Sequence, residues 1–100
     1  MVQIPVDPRA IARLCRKHRI HRLAFFGSVL RDDFRPDSDV DLLVEFEPGV
    51  AVGYIRLAEI EEELSEVLGG HRVHIANPKY LNRRLKRRVL ESAEVQYAQG

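Results

Sequence analysis

The sequence predicts a mixed α/β (α+β) fold, a small mixed sheet with helices packed against it. Two observations carry this. Stretches with apolar residues at helical spacing take turns along the chain with shorter apolar or alternating runs of strand length. The resulting order is helix, strand, short helix, strand, helix, strand, helix and a possible last strand, which suits helices laid on a sheet.

The elements follow in order. Asp7-Pro8 starts a helix, since Asp can cap free amides and Pro suits the first helical position. Ile11, Leu14, Cys15 and His18 continue it at helical spacing to about residue 18. Residues 22–26 form a short apolar strand stopped by Gly27, and residues 28–32 allow one helical turn. Arg35-Pro36-Asp37-Ser38 is a loop. Residues 39–46 alternate, with Val40, Leu42, Val44 and Phe46 on one face and Asp39, Asp41, Leu43 and Glu45 on the other. A helix over about 53–68 turns Leu57, Ile60, Leu64, Val67 and Leu68 inward and its glutamates outward, and Gly69-Gly70 ends it. Residues 72–76 read as a third strand. Leu81, Leu85 and Val89 give a second, basic helix, and residues 95–97 permit a last short strand.

One hundred residues suit a single domain, 1–100, that buries roughly 60–65% of the surface of its unfolded chain. With 45% hydrophobic and 31% charged residues the composition is that of an ordinary globular domain. No apolar run approaches the roughly 18–20 residues of a membrane span, and the first residues lack a signal-peptide pattern, so no membrane partner is expected. The lone Cys15 cannot form an internal disulfide and fits a reducing, cytoplasmic setting. On its helix it reads as a small core residue, with a reactive thiol as the other reading. The net charge of +1 conceals glutamates at 59, 61, 62, 63 and 66 followed by a basic run from Lys79 to Arg88.

Chemistry concentrates in residues 27–41. Gly27-Ser28 ends a strand and opens a turn, a junction that presents free amides and, lacking a Cβ, admits an anion closely; alone it is equally a common turn. Asp39 and Asp41 occupy positions i and i+2 of a strand, on one face and about 6.5–7 Å apart. Two such carboxylates suit Mg²⁺, a hard cation. Their bland reading is a solvated edge. The apolar opposite face and Leu43 argue instead for a largely buried strand, where carboxylates are costly without a cation or a wet cleft.

Gly27-Ser28, ten residues, then Asp39-Val40-Asp41 and Leu42-Leu43-Val44 resembles the signature of DNA polymerase β-type nucleotidyltransferases. The stretch from Phe26 to Phe46 resembles the minimal nucleotidyltransferases, the MNT-type antitoxins of HEPN/MNT toxin–antitoxin pairs, and the likeness extends over nearly the whole chain. The resemblance implies a polymerase β-like nucleotidyltransferase fold that binds ATP. By it, Gly27 and Ser28 contact phosphates, and Asp39 and Asp41 are catalytic residues that ligate Mg²⁺. Arg31 matches a basic position of the family and either contacts phosphate or is a surface arginine.

The same resemblance calls for a third carboxylate on the next central strand. Arg72-Val73-His74-Ile75-Ala76 has His74 there. Imidazole is a poor Mg²⁺ ligand but can accept a proton near neutral pH. Three readings stand: weakened or lost catalysis, activity retained with His74 as base or altered ligand, or a shifted alignment in which Glu45 substitutes. Glu45 lies about 13 Å along the strand from Asp41, which counts against the last.

The basic run 79–88 is read as a solvated face before a protein interface, and as an interface before a nucleic-acid patch, because its charges surround the helix and only Tyr80 offers an aromatic. The resemblance supplies a partner: a helical HEPN-domain protein, with transfer of AMP from ATP to one of its tyrosines. A domain that neutralises this partner by binding alone is the alternative, and a nucleic-acid-binding module trails both. Self-association as a homo-oligomer is also open.

Overall fold

The computed structural model describes residues 2–76, 83, 84, 87, 91 and 93–98. Its elements are helix α1 (Pro8–Lys17), strand β1 (Ile20–Phe26), a 3-10 turn (Gly27–Leu30), β2 (Val40–Phe46), helix α2 (Tyr54–Val67), β3 (Val73–Ala76) and β4 (Glu94–Ala98). The sheet runs β3-β2-β1-β4. β1 is antiparallel to both β2 and β4, and β2 is parallel to β3, so the sheet is mixed as predicted.

Local chemistry sets the helix ends. The Asp7 carboxylate accepts from the Arg9 amide at 3.0 Å, and Pro8 occupies the first turn. At the far end of α2 the Gly70 N–H donates to the Ser65 carbonyl at 2.8 Å, while Gly69 and Gly70 take φ of +83° and +91°. These are conformations that favour glycine and stop the helix.

Both helices feed one core. Ile11, Leu14 and Cys15 of α1 meet Ile60 and Leu64 of α2 and Leu68 beyond it, over Leu23, Phe25, Val40, Leu42, Val44 and Val73 of the sheet. The alternation read in 39–46 holds: Val40, Leu42 and Val44 lie in this core, while Asp41 and Glu45 are only half-buried. Leu43 and its neighbour across the β1–β2 ladder, Ala24, are buried outside that cluster, which makes the opposite face of the sheet partly apolar too.

β1 begins at Ile20, two residues earlier than the apolar run suggested, because a bulge between Ile20 and Arg22 lets Ile20 enter the core opposite Phe46. β2 begins at Val40, whose N–H donates to the Arg72 carbonyl at 2.8 Å, so Asp39 sits just before the strand. The expected inward stripe of the last helix, Leu81, Leu85 and Val89, lies outside the described residues. Arg83, Arg84, Arg87 and Glu91 are helical and exposed, and Arg87 approaches Glu91 one turn on at 3.6 Å.

His18, which caps α1, is buried, and its Nε2 meets the Glu63 carboxylate of α2, which Lys17 also engages. The Lys17 hydrogen bond, then that from His18, holds the Glu63 carboxyl below its ordinary value. Sequence periodicity had placed all the α2 glutamates outward; Glu63 is the one that ties the two helices together.

Candidate active site

The site forms where β1 ends and β2 begins. Antiparallel pairing sets Phe26 opposite Asp41, so the turn that follows β1 lies beside the first carboxylate of β2. Gly27 takes φ +75°, and a Cβ built on it would stand 2.8 Å from Asp41 Oδ2. A residue without a side chain lets the backbone pass this close without displacing the carboxylate. Val29, fully buried, pins the turn to the core, and the Arg31 N–H closes it on the Ser28 carbonyl at 3.0 Å. The Ser28 hydroxyl donates to the Asp39 carbonyl at 3.3 Å, joining both halves of the motif.

Parallel pairing brings in the third element. His74 of β3 is the cross-strand neighbour of Asp41, with Nδ1 3.8 Å from Asp41 Oδ1. The imidazole is mostly exposed and the Asp41 side chain half-buried. Burial pushes the Asp41 carboxyl above its ordinary value, His74 offsets part of this, and the nearby Asp39 adds to it.

Gly27, Ser28, Asp39, Asp41 and His74 are thus gathered at one end of the β1-β2-β3 sheet. Arg31 is exposed just after the turn, and beyond its backbone bond to Ser28 its side chain makes no hydrogen bond or ion pair with them among the described residues. Glu45 faces Arg22 across the ladder, 3.9 Å from its Nε, at the far end of β2. The geometry therefore leaves it out of the cluster.

Sequence reasoning missed how the intervening loop is held. The Phe34 ring packs on the His71 ring at a centroid distance of 5.4 Å, and Arg35 and Ser38 close a turn through the Ser38 N–H to the Arg35 carbonyl at 3.0 Å. An aromatic alone among the charged residues and turn formers of 31–38 was the available signal.

Among the described residues no group of three or more His, Cys, Asp and Glu side chains is placed to enclose a metal. Asp39 and Asp41, an exposed and a half-buried carboxylate, are oxygen ligands of the kind that a hard cation such as Mg²⁺ takes.

The family model described as a nucleotidyltransferase domain matches residues 8–95. This chain belongs to the nucleotidyltransferase domain family. A protein of Methanocaldococcus jannaschii provisionally named a protein adenylyltransferase is 35% identical over 85 residues, covering 85% of this chain and 88% of that protein. A structure provisionally described as a minimal nucleotidyltransferase is 40% identical, with a TM-score of 0.70 over 86% of this chain and 85% of its own. A structure of a tri-AMPylated Shewanella oneidensis HEPN toxin in complex with an MNT antitoxin matches with a TM-score of 0.60 over 92% of this chain and 70% of that chain. At 17% identity that last likeness speaks to the fold alone. The nucleotidyltransferase fold read from the sequence is the one observed. Among the described residues no helix is long and apolar enough to cross a membrane.

Proposed function

We propose that this chain is the antitoxin of a HEPN/MNT pair and transfers AMP from ATP to a tyrosine hydroxyl of its HEPN partner, with Mg²⁺ as cofactor, in the cytoplasm. The observation that supports this most is the placement of Asp41, packed against the bare backbone of Gly27 on one side and facing His74 on the other. The 35% identity to a protein named for adenylyl transfer to proteins agrees with it.

In this reading Gly27 and Ser28 offer the turn's backbone to the phosphates, and Arg31 adds a cation beside them. Asp39 and Asp41 hold Mg²⁺, which neutralises charge on the triphosphate. His74 stands where the superfamily's third carboxylate would be. Exposed and 3.8 Å from Asp41, it serves in this reading as the base that accepts the hydroxyl's proton. The alternative, a domain that neutralises its partner by binding alone, draws on the same feature, since an imidazole is a poor Mg²⁺ ligand.

The test is incubation with ATP, Mg²⁺ and the purified HEPN partner, followed by intact-mass spectrometry. The expected result is a partner heavier by AMP, with the adduct lost in Asp39→Asn. A partner modified by a His74→Asp variant but never by the native chain would reject the enzyme and favour the binding-only reading.

A further inference from the structure

The two helices carry opposite charge on their outer faces. Along α1, Arg9, Arg13 and Arg16 recur at i, i+4 and i+7, all exposed, and the helix has no acidic residue. Along α2, Ile55, Glu59, Glu62 and Glu66 recur at i, i+4, i+7 and i+11, all exposed. Such spacings align side chains in one stripe. The other two glutamates of α2 are occupied within the chain: Glu61 accepts from the Ile75 N–H at 3.2 Å, and Glu63 serves Lys17 and His18. Neither stripe forms an ion pair with another described residue.

α1 and α2 lie on the same side of the sheet, since both feed the same core and touch through Glu63. A basic stripe and an acidic stripe thus run side by side on one surface. Two residues at the start of α2 add apolar area to it: Tyr54 is 92% exposed and Ile55 80%. They border a recess also lined by Lys17, His18, Gly53, Arg56 and Glu59. Adjacent and open, they give the charged face an apolar spot that a contact would cover.

We infer that this helical face is a self-complementary interface for a second copy of the chain. A two-fold axis lying in the interface along the helices places α1 of one copy over α2 of the other and repeats the contact symmetrically. Each arginine stripe then meets the partner's glutamate stripe, and Tyr54 and Ile55 supply the apolar part that exposed ion pairs lack on their own. The face lies across the sheet from Asp41: α2 packs on the side of β2 that carries Val40, Leu42 and Val44, and Asp41 alternates to the opposite side. The inference is therefore independent of the chemistry proposed above.

Charge reversal on full-length chains tests it. The native chain, followed by sedimentation velocity over a concentration series, is expected to form a dimer that weakens as salt rises. Variant one carries Arg9→Glu, Arg13→Glu and Arg16→Glu; variant two carries Glu59→Arg, Glu62→Arg and Glu66→Arg. Each alone is expected to be monomeric, with the dissociation constant raised roughly tenfold or more by like charges. Mixed in equal amounts they are expected to form a heterodimer, because both of its helix contacts again join opposite charges. Circular dichroism of each variant establishes that it is folded, as six exposed positions should allow. A monomeric native chain at every salt and concentration, or folded variants whose mixture stays monomeric, overturns the inference. So does a native chain that remains monomeric alone and uses this face only for a different protein or a nucleic acid.

Discussion

The carboxylate of Asp41 fills the space that a β-carbon on residue 27 would need, its Oδ2 standing 2.8 Å from that position. The two residues constrain each other. Gly27 is favoured by its φ of +75°, and a side chain there would also push the Asp41 carboxylate aside. Gly27→Ala is expected to cost about 1–3 kcal/mol from the backbone strain alone, with the collision added. A domain with about 5–15 kcal/mol in total would lose several degrees of Tm or more. Made in an Asp41→Ala background, Gly27→Ala should cost only the strain, because the collision is gone. Thermal unfolding of Gly27→Ala, Asp41→Ala and the double variant separates the two parts, and an unchanged Tm for Gly27→Ala would contradict the packing described.

Asp41 is a destabilising residue in the metal-free protein. Its carboxyl is raised, chiefly by burial, so folding prefers the protonated form. The corresponding stability is fully present below the ordinary value of 3.8 and is lost as pH rises through the raised folded value. At neutral pH the ionised group is thus a net cost. Asp41→Asn keeps the shape without the charge. It is expected to raise the Tm of the metal-free chain at pH 7 while AMP transfer falls to background. Paired melting curves and mass-spectrometric assays check this, and a lower Tm would show that attraction to the neighbouring His74 outweighs the cost of burial.

Glu63 has the opposite sign. Its carboxyl is lowered by Lys17 and then His18, so its contribution is present above the ordinary value of 4.5 and disappears as pH falls through the lower folded value. Glu63→Gln should lose stability at pH 7, by about 1 kcal/mol, since the Lys17 contact is exposed and the His18 contact partly buried. The variant and native chains should converge in acid below the folded carboxyl's titration. Urea titrations at several pH values measure the difference, and a gap independent of pH would be inconsistent with this ion pair.

Cys15 should be silent in the native state. It is fully buried on α1, and burial pushes its thiol up to about 12. At pH 8 the thiolate is scarce and inaccessible. Iodoacetamide is expected to label it only as fast as the chain opens, with rapid labelling in denaturant. Fast labelling under native conditions would place it among reactive thiols.

Much of this was legible in the chain because local rules dominate there. Asp7-Pro8 announced α1, Gly69-Gly70 ended α2, and the alternation after Asp39 separated the core side of β2 from its acidic side. The close approach at Gly27 was also foreseeable in kind, although the anion that approaches is the chain's own Asp41. What stayed hidden is relational. Nothing in a short strand names its neighbours, so His74 was expected near Asp41 only through the family resemblance, and the β3-β2-β1-β4 order required the sheet itself. The same holds for Glu63, whose sequence environment is that of its solvent-facing neighbours, and for Phe34, which has no partner until the chain brings His71 to it.

The sheet order has a consequence for how the chain folds. β1 and β2 are consecutive and antiparallel, so they can pair after closing a short loop, whereas β4 reaches β1 only when distant parts of the chain come together. Loop-closure entropy favours the first event. Gly27 would then meet Asp41 early, before β3 delivers His74. The rate-limiting search should fall on the strands that arrive last, so truncating Tyr97, the partly buried β4 residue packed against the core, would speed unfolding while leaving the folding rate almost untouched.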